Sequence, residues 1–295
     1  MNLLEMAQLL APQVRQTELT ELCAGLDPSI PADWRHLACI TALATNAKVI
    51  AVSGGQGAGK STFAQAIRQA HELLGRNTVV CSIDDFYLTK GARKQLGESV
   101  HPLLETRGVP GTHDVKLASD TLDALRRGAR VSLPRFDKGL DDRLAADQWP
   151  VNDKVADTVV FEGWCLGVTA VDTRDLVQPV NLLEEREDPD GGWRRYVNQS
   201  IQQYLELWER VDFWIFLAVP DMAAVLRWRK QQERSLPAQH RMTDPMIERF
   251  VGHYERLTRR LLETMPGRCD WAINLAADHT IANVTNNTSN NTPKR

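Results

Sequence analysis

No run of about 18 or more apolar residues, the length needed to cross a bilayer as a helix, occurs in this chain, so no transmembrane segment is expected. Its opening, Met1-Asn2-Leu3-Leu4-Glu5, lacks a basic flank and a long apolar stretch, so a secretory signal is not expected either. Cysteine is sparse: Cys23, Cys39, Cys81, Cys165 and Cys269 are scattered, odd in number and never spaced as Cys-x-x-Cys. This excludes a disulfide framework and a thiolate metal site, and it predicts free thiols in a reducing cytoplasm. Most sit in apolar context; Cys269, between Arg268 and Asp270, is the one expected at the surface. Charge of either sign is not in excess. A net charge of −3 and a pI near 6.2 exclude a broad nucleic-acid-binding face. Aromatic residues make up only 6%, and the eight tryptophans form no stripe, so they read as core and rim packing. There is no internal repeat and no domain linker.

What is present is ordinary globular material: 295 residues, 43% hydrophobic and 25% charged, enough for one large α/β domain with additions. Residues 1–46 carry three helical patterns, broken at Pro28 and Pro31, and read as a helical N-terminal extension. Apolar strands are expected at 48–53, 78–83, 158–161, 213–219 and 271–275, alternating with helices at 60–74, 115–127, 193–210, 221–234 and 246–262. That alternation predicts a parallel, doubly wound sheet of about five strands flanked by helices. Residues 88–114 hold Gly91, Gly97, Pro102, Gly108, Pro110 and Gly111 and read as a long structured loop. Residues 172–192 read as an excursion, and 278–295, Asn/Thr-rich without apolar period, as a disordered tail. The main domain is therefore expected over 47–277.

The most informative stretch runs from Val49 to Thr62, VIAVSGGQGAGKST. It satisfies G-x-x-x-x-G-K-[ST] at Gly54, Gly59, Lys60 and Ser61, with a strand before and a helix after. Phosphate oxygens need backbone N–H groups aimed at them, and Gly54, Gly55, Gln56, Gly57, Ala58 and Gly59 allow the chain to bend tightly around such an anion. The helix starting at Lys60 adds its N-terminal dipole, and Thr62 lies in its first turn. Lys60 then serves the β- and γ-phosphates, and the Ser61 hydroxyl is placed for Mg²⁺. The fold expected is that of a P-loop NTPase.

Acids stand where such a site needs them. Asp84 and Asp85 end the second strand, and Glu162 ends the third, in a Walker-B-like position. Either aspartate is suited to accept a proton from an attacking hydroxyl, and Asp84 and Glu162 are suited to share Mg²⁺ with Ser61. Anion-binding groups crowd the loops: Arg107, His113 and Asp114, then Arg135, Asp137, Lys138 and Arg143. A guanidinium fork suits a carboxylate or phosphate. Arg227, Lys230 and Arg234 share one face of a helix after the fourth strand and suit a basic lid over phosphates. Trp164, beside Glu162, is a candidate for the acceptor pocket.

Taken in order, the P-loop, Ser82-Ile83-Asp84-Asp85-Phe86-Tyr87-Leu88-Thr89, Arg107-Gly108-Val109-Pro110-Gly111-Thr112-His113-Asp114, Pro134-Arg135-Phe136-Asp137-Lys138 and Val160-Phe161-Glu162-Gly163-Trp164 resemble the D-glycerate 3-kinase family of P-loop kinases, relatives of phosphoribulokinase, uridine kinase and pantothenate kinase. The resemblance covers about residues 45–275. It implies ATP-dependent phosphorylation of a hydroxyl on a small anionic metabolite, D-glycerate first, with ATP and Mg²⁺ as cofactors. It implies Asp84 as the catalytic aspartate, Asp85 standing where uridine kinases have serine, with Lys60 and Glu162 as its catalytic companions. Acceptor contacts would come from Asp85, Tyr87, Arg107, His113, Arg135 and Lys138, and Arg227 would match the lid position over ATP. Other acceptors (a nucleoside, pantothenate or a sugar phosphate) and a non-catalytic ATP-binding regulatory module remain the alternatives.

Overall fold

In the computed structural model, which describes residues 1–234 and 241–288, the chain opens with α1 (Leu3–Leu10), α2 (Gln16–Ala24) and α3 (Ala32–Ala44). Asn2 starts α1 by accepting from the Glu5 amide while Glu5 reaches back, a reciprocal capping box. β1 (Val49–Gly54) feeds α4 (Lys60–Leu73), and β2 (Thr78–Ser82) runs into a short 3-10 turn, Ile83–Phe86. Next come α5 (Lys90–Ser99) and α6 (Val115–Arg126). Four two-residue strands form two small antiparallel pairs: β3 (Val131–Ser132) with β6 (Val151–Asn152), and β4 (Phe136–Asp137) with β5 (Asp142–Arg143). The chain continues through β7 (Thr158–Gly163), α7 (Leu182–Glu187), α8 (Gly192–Ser200), α9 (Leu205–Trp208), β8 (Phe213–Ala218), α10 (Met222–Arg234), α11 (Asp244–Thr264), β9 (Trp271–Leu275) and β10 (Ile281–Asn286). None of the described helices is long and apolar enough to cross a membrane.

The main sheet has the order β10-β9-β8-β1-β7-β2. Pairings among β2, β7, β1, β8 and β9 are all parallel, and β10 joins β9 antiparallel. Every residue of β1 and β7 is buried, as strands covered on both faces must be. Alternation along β1 divides its side chains between two cores. Ile50 and Val52 pack with Phe63 and Ile67 of α4 and with α1–α3, whereas Val49 and Ala51 pack with Leu122 of α6 and Leu257 of α11. Trp34 of α3 meets Phe63 edge-on at 5.6 Å, so the N-terminal helices share the core of the P-loop helix. Register brings Val52 and Ser82 level with Glu162. The C-terminal ends of β1, β2 and β7 therefore deliver the P-loop, the Asp pair and Glu162 to one place.

Four expectations are corrected. The sheet has six strands, because Ile281–Asn286 pairs with β9 where a disordered tail was expected from 278. Its buried side chains, Ile281 and Val284, are three apart, because the register shifts between Ile281 and Asn283 and breaks the period-2 signal. Asp33 accepts from the Ile281 amide, and Asn286 donates to the carbonyls of Leu9 and Leu10. Residues 289–295 of the expected tail lie outside the described residues. The expected long loop at 88–114 contains α5, capped by Thr89; its Gly97 lies so close to Glu105 that a Cβ would fall 2.3 Å from the Glu105 Cγ. The expected single helix over 193–210 is α8, a 3-10 turn and α9. Cys269 is fully buried, not surface-exposed.

Candidate active site

Between β1 and α4 the chain turns through Gly57 and Gly59, both left-handed (φ +77° and +82°), where a side chain would be strained. Lys60 opens α4, and its Nζ donates to the Gly55 carbonyl at 2.9 Å, folded back over the loop. Ser61 Oγ donates to Glu162 Oε1 at 3.0 Å. Burial holds the Lys60 pKa below its ordinary value against the pull of Glu162 and Asp84. Burial likewise pushes Glu162 up, opposed by Lys60 and by the Ser82 and Ser61 hydroxyls. These two charges face each other in a site that would penalise either one alone.

The two aspartates face different partners. Asp84 accepts from Lys138 Nζ at 2.8 Å and from the Tyr87 hydroxyl at 2.8 Å. Burial would raise its pKa, but Lys138 and the Tyr87 hydrogen bond overcome it, and Asp84 stays below the usual carboxylate range. Asp85 instead accepts from Arg135 Nη1 at 2.7 Å and from the Phe136 amide at 3.2 Å. It clamps the base of the β4–β5 hairpin, and burial raises its pKa.

A cleft of about 730 Å³ collects these groups. Gln56, Gly57, Lys60, Ser61, Asp84 and Glu162 line it, together with Tyr87, Arg107, Lys138 and Trp164. Asp85, His113 and Arg135, expected to contact an acceptor, are not among the residues that line it. His113 is buried, bonded to the Tyr204 hydroxyl at 2.8 Å and stacked on Tyr87 at 4.6 Å, so it braces Tyr87 from behind. Burial lowers its pKa to about 4. Asp114 caps α6 and pairs with Arg143 at 3.1 Å.

The helix expected to act as a lid, α10, also presents a different residue. Arg227 is exposed and does not line the cleft, whereas Arg229 and Gln232 do. Residues two apart on a helix point about 200° away from each other, so only one of Arg227 and Arg229 can face the P-loop. Lys230 is held by Asp244 and Glu248 of α11, at 2.8 and 3.1 Å. Arg229 is stacked on Phe250 at 5.0 Å and paired with Glu233 at 2.7 Å. The sequence reading missed Arg93, Asp141, Phe250 and Tyr254, which also line the cleft. Tyr254 donates to the Arg107 carbonyl at 3.2 Å, and Gly108 (φ +137°) lies against its ring, where a Cβ would fall 2.6 Å away. No motif marks an aromatic on a 21-residue amphipathic helix; the close approach demanded by Gly108 was the available signal.

A second hollow, of about 510 Å³, also borders the P-loop. It shares Gly57, Lys60 and Ser61 with the first and adds Gly59, Thr62, Trp228, Gln231, Gln232 and His279. Trp228 stacks on His279 at 4.0 Å. A hollow of about 520 Å³ between α7, α10 and α11 contains none of the motif residues.

The donors at Ser61 and Glu162 are hard oxygens beside a phosphate cradle. Among the described residues no group of three or more His, Cys, Asp or Glu side chains converges. That set fits a Mg²⁺ ion held largely by phosphate oxygens and water, and it does not form an all-protein cage.

No family model matches the chain. The chain is 35% identical over 217 residues to "Uncharacterized kinase mug58" of Schizosaccharomyces pombe, covering 70% of this chain and 78% of that protein. It is 32% identical over 222 residues to "Probable ATP-dependent kinase TDA10" of Saccharomyces cerevisiae, covering 68% and 73%. It is 31% identical over 230 residues to the chloroplastic D-glycerate 3-kinase of Arabidopsis thaliana, covering 74% of this chain but 48% of that longer protein. Among solved structures, D-glycerate 3-kinase from Cryptococcus neoformans superposes with a TM-score of 0.66 at 22% identity, over 91% of this chain and 98% of the other, a likeness of fold. The YGR205w protein superposes at 0.62 with 27% identity, over 80% and 88%. With the P-loop, the acids and the sheet order in place, the chain is an ATP-dependent kinase of the P-loop fold and belongs to the kinase family of mug58 and TDA10.

Proposed function

We propose that the chain transfers the γ-phosphoryl group of ATP to a hydroxyl of a small anionic hydroxy acid, with D-glycerate the favoured acceptor. The observation that carries this reading is the single cleft in which Lys60 and Ser61, the ionised Asp84 and the guanidinium of Arg107 converge. The second hollow at the P-loop takes the nucleoside, and the cleft takes the acceptor, so the phosphates lie over Gly57, Lys60 and Ser61, which border both.

On nucleotide binding, Lys60 exchanges the Gly55 carbonyl for phosphate oxygens, which are stronger acceptors for an ammonium. Loop amides and the start of α4 meet the remaining charge. Arg107 receives the acceptor's carboxylate, and Tyr87 orients Asp84, which Lys138 holds ionised until the acceptor arrives. Asp84 accepts the proton of the attacking hydroxyl as the new O–P bond forms and ADP departs. Arg229 supplies positive charge from the lid. Ser61 and Glu162, with Asp84 through water, would hold Mg²⁺, which supplies charge neutralisation of the phosphates when bound. Catalysis is then positioning and electrostatics. Five free cysteines suit a reducing compartment, and we place the chain in the cytoplasm.

The test is ADP release from ATP alone and with D-glycerate, glycerol, a nucleoside, pantothenate or a sugar phosphate. Stimulation by D-glycerate is expected. Stimulation by one of the others, without D-glycerate, rejects the acceptor, and silence across the panel rejects the catalytic reading in favour of a regulatory module.

A further inference from the structure

The β4–β5 hairpin puts two charges from its tip into the cleft, and both sit on groups that an acceptor needs. Lys138 occupies Asp84 at 2.8 Å. Asp141 pairs with Arg107, and its other carboxylate oxygen lies 3.1 Å from Arg93 Nη2. These guanidiniums form a built anion seat. Arg93 is 1% exposed and is fixed by the carbonyls of Leu88 and Glu105. Arg107 and Arg93 flank the Phe136 ring at 5.3 and 5.7 Å.

The base of the hairpin is anchored outside the cleft, whereas its tip is held through the cleft charges and through the Asp141 carbonyl, which accepts from Arg93 Nη2 at 2.5 Å. Asp85 holds Arg135 and the Phe136 amide, Asp142 accepts from the Lys90 amide at 2.8 Å, and Arg143 pairs with Asp114. The tip folds on itself, with Asp137 accepting from the amides of Gly139 and Leu140, while Leu140 stands 64% exposed. Asp141 is left-handed (φ +55°), one of two such non-glycine residues among those described. Held in that conformation, its carboxylate turns back into the cleft.

We propose that the hairpin tip is a built-in surrogate for the acceptor: Asp141 fills on Arg107 and Arg93 the seat of the acceptor's anionic group, and Lys138 covers the carboxylate that the acceptor hydroxyl must reach. Binding is an exchange, in which an incoming carboxylate displaces Asp141 and an incoming hydroxyl displaces the Lys138 ammonium from Asp84. The device selects for acceptors that carry both groups at the right separation, because a neutral polyol has nothing with which to displace Asp141. This inference rests on the anionic-acceptor reading proposed above.

Where a binding-competent arrangement is populated at about 10% or less, apparent affinity is reduced about tenfold or more. The experiment is steady-state kinetics of the wild-type chain, Asp141→Asn and Asp141→Gly with D-glycerate and ATP, plus inhibition by acetate, a carboxylate without the accepting hydroxyl. Asparagine and glycine both tolerate the left-handed backbone, so a folding failure of one leaves the other to report. The expected result is a KM for D-glycerate about tenfold lower, a parallel fall in the acetate inhibition constant, and a KM for ATP constant within about twofold. A KM for D-glycerate that is unchanged or raised in both variants overturns the inference, since Asp141 would then only brace Arg107. If the wild type accepts only uncharged substrates, that is seen before any variant is compared, and the acceptor reading falls first and this inference with it.

Discussion

Asp84 and Asp85 are adjacent and chemically identical, yet the same substitution should affect them in opposite ways. Asp84 has a Lys138 partner that is 64% exposed, so the pair contributes under about 1 kcal/mol to stability. Asp84→Asn should leave the unfolding midpoint nearly unchanged, but it removes the proton acceptor, so kcat should fall about 100- to 10,000-fold. Asp85 is 18% exposed and binds both Arg135 and the Phe136 amide. Asp85→Asn leaves a partly buried guanidinium without its counter-charge, which costs about 1–3 kcal/mol and lowers the midpoint by roughly 2–10 °C. Its kcat should fall far less than that of Asp84→Asn. Thermal unfolding and coupled ADP release, on both variants side by side, read the two effects separately. An Asp84→Asn enzyme keeping a tenth or so of its turnover would refute the assignment. So would an Asp85→Asn enzyme that loses turnover as completely with an unchanged midpoint.

Three further outcomes are expected. Burial lowers the pKa of each of His71, His113 and His253 to about 4 from 6.5. The unfolded chain therefore binds more protons between those values, and stability falls as pH drops through that window, each histidine adding about one proton of uptake on unfolding. Denaturation midpoints measured from about pH 7 to 4.5 should show that slope, and His113→Gln should reduce it by about one proton; a flat profile contradicts the burial argument. Gly108→Ala, at φ +137° and against the Tyr254 ring, should destabilise by about 1–3 kcal/mol and raise the acceptor KM, checked by thermal unfolding and kinetics. Arg229→Ala should lower kcat at least about tenfold more than Arg227→Ala, because only Arg229 lines the cleft; equal effects would return the lid role to the exposed face.

The parts of this protein legible in its amino-acid order are those set by local chemistry. The glycine spacing of the P-loop, the apolar strand before it and the helix after it need no distant partner, and they specified where phosphate binds. Alternating strands and helices indicated the parallel sheet, and strand ends located Asp84 and Glu162. Within the charged loops the order of residues was not enough. Arg107 and Lys138 reach the cleft, while Arg135, Asp85 and His113, equally suited in type, turn to hold the hairpin and Tyr87. Arg227 and Arg229 differ only in which face of α10 meets the P-loop. Arg93 and Asp141 gave no signal at all, and β10 hid behind a register shift. An aperiodic segment has no repeat to say where each side chain points. That direction is chosen by partners far away in the chain, and only the packed structure brings those partners within reach.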